Sequence, residues 1–151
     1  MRVVAFMQNP WFQSDTDPAI IEMYRTNQEF HRRFLAQSMS GRRLMQAFGP
    51  LYGEIWWDNA SPDHVDEASG EQPASARHVE AVILDIRPAL ILTFGRVAER
   101  AVWECTAAIP IMVMDCHHPN ARHKTQDDLN RFADKVRVWL KVHEHDARIK
   151  D

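Results

Sequence analysis

The stretch Pro88-Ala89-Leu90-Ile91-Leu92-Thr93-Phe94-Gly95-Arg96-Val97-Ala98 decides the fold class of this chain. Its centre is almost wholly apolar, which is typical of a strand covered on both faces of a parallel sheet. Gly95 follows the apolar run directly, and the residues after it favour a helix. We therefore predict a strand over Ala89–Phe94 and a helix from Gly95 to about Cys105.

The same pattern of apolar runs and helical stripes extends in both directions. Further strands are predicted over Arg2–Met7, Glu54–Asp58 and Ile109–Met114. Helices are predicted over Ala76–Arg87 and Thr125–His143. Another is predicted after Asp17-Pro18, with inward side chains at Ile20, Ile21, Tyr24, Phe30 and Phe34. A further helix is predicted after Ser40-Gly41, with Leu44, Met45 and Phe48 inward, and it should end at Gly49-Pro50. Asp63–Ser75 is polar and predicts a long loop. Alternating strands and helices predict an α/β protein, a three-layer α/β/α sandwich with a short four-stranded parallel sheet and right-handed crossovers, in a single domain over residues 1–151.

Composition narrows the functional classes. At 45% hydrophobic and 26% charged the 151 residues have an ordinary globular composition, and no apolar run has the roughly 18 residues that a membrane helix needs. Cys105 and Cys116 suit a reducing compartment, so we expect a cytoplasmic protein. The net charge of −3 argues against a broadly basic nucleic-acid surface but allows a local basic rim.

Three polar clusters follow predicted strands and form the candidate site. They are Met7-Gln8-Asn9-Pro10-Trp11-Phe12, Trp56-Trp57-Asp58-Asn59-Ala60-Ser61-Pro62 and His117-His118-Pro119-Asn120. In open parallel α/β sheets the ligand crevice lies outside the carboxyl ends of the strands. The three clusters, although far apart in sequence, are therefore expected to converge on one pocket.

The side chains in these clusters suit recognition of a polar ring. An asparagine amide offers donors and an acceptor, so Asn59 can pair with an amide-like edge of a pyrimidine, and one histidine can donate to a developing anion. Asn9 and Asn59 are equally compatible with simple turns before proline. Cys116, His117, His118 and His123 match no standard zinc spacing, so we expect no metal and no cofactor.

In order and content these segments resemble the uracil-DNA glycosylase superfamily, closest to its mismatch-specific and single-strand-selective branches. Five segments carry the resemblance: Met7-Gln8-Asn9-Pro10-Trp11, Ser40-Gly41-Arg42-Arg43-Leu44, Asp58-Asn59-Ala60-Ser61-Pro62, Pro88 through Ala98, and His118-Pro119-Asn120. They span about residues 3 to 123 in the family's order. Met7 stands where the family has glycine, Trp11 where it has tyrosine or glycine, and Asn120 where it has serine.

The resemblance implies a DNA glycosylase of base excision repair that hydrolyses the N-glycosidic bond of uracil or a related base after base flipping. Asn9 would position the attacking water and His118 would stabilise charge on the departing base. Gln8, Pro10, Trp11 and Asn59 would bind the base, and Phe30 or Phe34 would stack on it. Contacts to DNA would come from Arg42, Arg43, Gly95, Arg96, Asn120 and Arg122.

Two other functions stay open from the residues alone. One is a protein of the same fold that binds nucleic acid or a protein partner without cleaving it, which Met7 and the negative net charge favour. The other is a small α/β enzyme acting on free nucleosides or nucleotides. A positive rim around Asn9 would indicate DNA, whereas a closed neutral pocket would indicate a small ligand.

Overall fold

A four-stranded parallel sheet forms the centre of the molecule. The computed structural model describes residues 1–10, 12–62 and 73–150, with side chains as far as residue 144. Its strands are β1 (Val3–Met7), β2 (Trp56–Asn59), β3 (Leu90–Phe94) and β4 (Met112–Cys116), in the order β2-β1-β3-β4. Every neighbouring pair is parallel, which confirms the predicted sheet.

Helices cover both faces of this sheet and complete the predicted three-layer α/β/α fold. They are α1 (Pro18–Thr26), α2 (Gln28–Ala36), α3 (Met39–Phe48), α4 (Ala76–Ile86), α5 (Arg96–Trp103) and α6 (Gln126–Lys150). Short 3₁₀ turns cover Gly49–Glu54 and Thr106–Ala108. None of the helices in the described part of the chain is long and apolar enough to cross a membrane.

Successive side chains of each strand point to opposite faces of the sheet, so the hydrophobic core consists of two clusters, one on each face. Ala5 and its same-face neighbours pack with α3 and α6, while Val4 and Phe6 pack with α4 and α5. On the α3 and α6 side, rings from four elements meet edge to face or tilted: Phe48, Trp57, Phe94 and Phe132. Full burial of each such side chain contributes about 1.5–3 kcal/mol, so this cluster fixes how the helices sit on the sheet.

The predicted helix after Asp17 is in fact two helices. Asn27 ends α1 and begins α2, where its side-chain oxygen accepts the N–H of Phe30 at 3.0 Å. A residue whose side chain bonds the backbone locally competes with helix continuation, which explains the break. The orientation predicted for Ile20 and Met45 is wrong, because both side chains are exposed and only part of each predicted stripe reaches the sheet.

Several predicted boundaries also move. The strand β2 begins at Trp56 and includes Asn59, and β4 begins at Met112 and not at Ile109. Pro110 lacks a backbone N–H, and Ile109 lies in a turn with its side chain 79% exposed. The helix predicted over Thr125–His143 extends to Lys150. Most of the predicted loop Asp63–Ser75 lies outside the described residues.

The order of the strands creates a topological switch point between β1 and β3. From β1 the chain crosses to β2 over the α3 and α6 face, whereas from β3 it crosses to β4 over the α5 face. Adjacent strands whose connections leave on opposite faces open a crevice at their carboxyl ends, and ligands of such sheets bind there.

Candidate functional site

The three predicted clusters leave the sheet at the same edge. Asn59 is the last residue of β2 and pairs with Met7, the last residue of β1, so Asn9 lies two positions beyond that pair. On β4 the last residue is Cys116, which pairs with Phe94, and His118 lies two positions further on. Strands are spaced about 4.8 Å apart, so the ends of β2 and β4 are about 14 Å apart with the switch point between them.

His118 lies next to Gly95, at the end of β3. Gly95 has a φ of +95°, and a Cβ built on it would lie 3.6 Å from the Cβ of His118. The backbone N–H of Gly95 donates to Cys116 at 2.9 Å and ties the two strand ends together. The positive φ is a conformation that glycine adopts at no steric cost, so Gly95 lets the chain turn from β3 into α5 next to His118.

The imidazole of His118 is held in one protonation state and one tautomer. The backbone N–H of Asn120 donates to its Nδ1 at 3.1 Å, so the ring proton of the neutral imidazole lies on Nε2. Burial, with a smaller contribution from the neighbouring His117, lowers the pKa of His118 below its usual value. At neutral pH the ring is thus an uncharged donor through Nε2, beside the N-terminus of α5, where negative charge is favoured.

The helix α3 holds the His118 loop in place. The guanidinium of Arg43 donates to the carbonyl of Pro119 at 2.9 Å, and the amide of Asn120 donates to the hydroxyl of Ser40 at 2.8 Å. Between them, Gly41 lets α3 approach α2, since a Cβ there would lie 1.7 Å from the Leu35 carbonyl oxygen. The segment Ser40–Arg43 therefore acts as a support for the loop, and Arg43 and Asn120, both predicted to contact DNA, bond within the protein.

Asn59 has a different and more deeply buried environment. Its side-chain Nδ2 donates to the hydroxyl of Tyr24 at 2.7 Å, and the two residues are 5% and 6% exposed. The backbone N–H of Asn59 donates to the carboxylate of Asp58 at 2.7 Å, and Asp58 lies 3.5 Å from Nε2 of His78. No sequence pattern links Tyr24 to Asn59, because only the fold brings together residues 35 positions apart.

A pocket of about 210 Å³ opens beside Asn59. Its lining includes Pro10, Tyr24, Ser61 and His78, whereas Asn9 and His118 do not contribute to it. The pocket extends along the outer side of β2 to Trp56. The first and second clusters therefore share this cavity, but no residue of the third cluster lines it, so the prediction that all three converge on one pocket is wrong for this pocket.

The first cluster provides backbone as well as side-chain groups. The carbonyls of Met7 and Gln8 accept the N–H groups of Ala60 and Ser61 at 2.6 and 2.8 Å, which joins the first and second clusters. The amide of Asn9 is half-buried and its Nδ2 donates to the carbonyl of Pro10 at 3.3 Å, a local turn contact. Trp11 lies outside the described residues.

The predicted stacking residues form part of an aromatic cluster. Phe34 packs against Phe12 and Tyr24 with ring centroids 5.0 and 5.4 Å apart, and Phe30 stacks on Phe34 at 6.2 Å. Phe12, the last residue of the first cluster, is buried against Tyr24 of α1 and Phe34 of α2. Phe12 and Phe34 therefore hold the ring of Tyr24, whose hydroxyl accepts the hydrogen bond from Asn59.

Exposed arginines follow the same sheet edge. Arg96 begins α5 directly after Gly95, Arg122 lies four residues after His118, and Arg42 neighbours the loop support on α3. Arg42 also donates to the carbonyls of Gln37 and Ser38. The predicted DNA contacts thus divide into three exposed cations, the internally bonded pair Arg43 and Asn120, and Gly95, whose backbone N–H donates to the Cys116 carbonyl.

Within the described ranges, no three His, Cys, Asp or Glu side chains are grouped so as to hold a metal ion. Burial raises the pKa of Cys116 to about 12, which keeps its thiol protonated near neutral pH. No family model matches this chain, and no curated protein or solved structure matches it either. Fold and site together define a parallel α/β protein with polar strand-end groups at a switch-point edge.

Proposed function

We propose that this protein is a cytoplasmic DNA glycosylase that hydrolyses the N-glycosidic bond of uracil or a related base. The observation that carries the proposal is the neutral imidazole of His118, which is held above Gly95 with Nε2 available to donate. Cleavage of a glycosidic bond leaves negative charge on the departing base. A fixed, neutral donor aimed at that charge stabilises the transition state without first needing to lose or gain a proton.

Asn59 supports recognition of the base. Asn59 is the last residue of β2, which is separated from β3 by β1. Its amide is already fixed by the hydrogen bond to Tyr24 when no ligand is bound. A fixed amide selects a matching hydrogen-bonding edge, because a mismatched edge leaves buried polar groups unpaired. The flipped base would meet Asn59 at its Watson–Crick edge, and His118 would approach from the far side of the switch point.

Exposed Arg42, Arg96 and Arg122 support DNA as the partner. Each of these cations belongs to a segment at the edge that carries His118, so this edge offers exposed guanidinium groups to phosphate in a chain of net charge −3. Phosphate contacts by arginine make binding depend on salt concentration, so the affinity for DNA should fall as salt rises.

The test is an oligonucleotide assay with the purified full-length chain. Single-stranded and duplex oligonucleotides carrying uracil, hypoxanthine or a thymine mismatch are incubated, and alkali then breaks the strand at each abasic site. We expect release of uracil by the wild-type chain and by Asn130→Ala, a matched control on α6, and no release by Asn59→Ala. Absence of release from every wild-type substrate would refute the proposal.

A second function, binding of nucleic acid without cleavage, is favoured by one specific observation. The amide of Asn9, the group that would orient the water, donates to Pro10 within its own turn. A protein of this kind would bind the uracil oligonucleotide without releasing the base, so a binding measurement on the same samples separates the two functions.

A further inference from the structure

The hydrogen bond between Asn59 and Tyr24 determines which atom of the amide is available to a ligand. The nitrogen and oxygen of a side-chain amide lie on opposite sides of the same carbon. Because Nδ2 donates to the Tyr24 hydroxyl at 2.7 Å, Oδ1 is turned away from Tyr24. Both residues line the 210 Å³ pocket beside β2, so the hydroxyl belongs to the same cavity as the amide that it orients.

Tyr24 is itself fixed by its neighbours. Its ring stacks on His31 with a centroid distance of 4.0 Å and meets Phe12 and Phe34 edge to face at 5.3 and 5.4 Å. Burial raises the pKa of the phenol far above its usual value, so the hydroxyl stays neutral at physiological pH. A neutral phenol held on three sides can accept the amide N–H but has little freedom to turn away.

We propose that Tyr24 is a positioning residue that fixes the amide of Asn59 with Oδ1 as the ligand-facing acceptor. This inference rests on the proposed function, in which Asn59 meets the edge of a flipped base. An acceptor at this place favours a base whose ring carries an N–H between two carbonyls, as in uracil and thymine. Cytosine presents a lone pair at the same ring position, and two facing acceptors repel each other.

The chain offers a matched pair of variants for the test. Tyr24→Phe removes the hydroxyl that contacts Asn59. Tyr52→Phe removes another hydroxyl of a buried tyrosine, one that donates to the carbonyl of Arg32 at 2.7 Å. Both variants lose one hydrogen bond of a buried ring, so any difference between them reports on Asn59 and not on a general loss of stability.

Two measurements are made on both variants. The first is the affinity for oligonucleotides that carry 2′-fluoro-2′-deoxyuridine or 2′-fluoro-2′-deoxycytidine, sugars that resist cleavage. We expect the wild type and Tyr52→Phe to prefer the uracil oligonucleotide by about tenfold or more, and Tyr24→Phe to lose most of that preference. The second is hydrogen exchange of the Asn59 side-chain N–H₂ by NMR, which we expect to be slow except in Tyr24→Phe.

The two measurements separate failure of this inference from failure of the proposed function. Unchanged exchange in Tyr24→Phe would refute the positioning role, whatever the activity of the protein. Faster exchange with an unchanged uracil preference would refute the link from amide orientation to base choice. If the wild type showed no preference and released no base, the proposed function would fail, and with it the role in base choice, while the exchange data would still decide whether Tyr24 fixes Asn59.

Discussion

The β2 end and the β4 end of the sheet's carboxyl edge hold their polar groups in different ways. At the β2 end, Asn59 is buried and bonded to a buried hydroxyl, and Gln28 covers the strand through two bonds to the backbone of Trp57. At the β4 end, His118 is only half-buried, and its contacts are to its own loop and, through that loop, to α3.

This difference indicates separate energetic roles for the two ends. Groups at the β2 end belong to the folded core, so changing them alters the free energy of unfolding as well as any ligand contact. His118 is presented at the surface by a loop, so its removal leaves the core unchanged. The comparison therefore predicts that stability and activity respond differently at the two ends.

The largest effect is expected for His118→Ala. The rate of uracil release should fall about 10²–10³-fold, because the variant lacks the donor for the departing base. The free energy of unfolding should change by less than about 1 kcal/mol, since the remaining loop contacts of Arg43 and Asn120 stay in place. Single-turnover kinetics and chemical denaturation measure the two quantities on the same samples.

Two outcomes would break the comparison at this position. One is an equal loss of DNA affinity and of rate, which would assign His118 to binding and not to stabilisation of the departing base. The other is a large loss of stability, which would make the β4 end as much a part of the core as the β2 end.

A smaller effect is expected for Gln28→Ala. The Trp57 N–H donates to Oε1 of Gln28 at 2.6 Å, and Nε2 of Gln28 donates to the Trp57 carbonyl at 2.9 Å. Loss of both bonds should lower the free energy of unfolding by about 1–3 kcal/mol. Urea denaturation of this variant is compared with Gln13→Ala, a change at an exposed position outside the sheet, which should stay within about 0.5 kcal/mol of wild type. Equal stability of the two variants would show that β2 does not depend on this side chain.

The smallest effect is a pH dependence of stability at the β2 end. Burial lowers the pKa of His31, whose Nδ1 lies 3.3 Å from the Tyr24 carbonyl oxygen, so the folded protein keeps this ring neutral where the unfolded chain begins to protonate. Stability should therefore be complete above about pH 6.5 and decrease as the pH falls below it. His31→Asn retains a donor and removes the titration. Its free energy of unfolding should therefore decline less steeply with falling pH than that of wild type, and the two slopes should differ by at most about 1.4 kcal/mol per pH unit.

Thermal denaturation of wild type and His31→Asn between pH 5 and pH 8 measures this difference. Parallel curves would assign the pH dependence to other groups, among them His117 and His118, whose pKa values are also lowered by burial. If His117 and His118 were those groups, the pH dependence would belong to the β4 end, which is the opposite of what this comparison predicts.

Much of the architecture is predictable from local pattern. The run Ala89–Phe94 is apolar enough to require cover on both faces, and Asp17-Pro18 and Gly49 mark helix ends that the structure confirms. Boundaries that depend on packing were less predictable. The turn at Ile109 and the break at Asn27 result from competition between local hydrogen bonds and the continuation of a strand or helix.

For the candidate site, the sequence by itself determined which residues follow which strands, because strand ends are set by apolar runs and by proline and glycine. Parallel strands then place Asn9, Asn59 and His118 at one edge. Only the tertiary structure decided what each side chain contacts. The bonds from Tyr24 to Asn59, from Gln28 to Trp57 and from Arg43 to Pro119 join positions 29 to 76 residues apart. Such pairs depend on how helices pack on the sheet, which no local pattern of residues specifies.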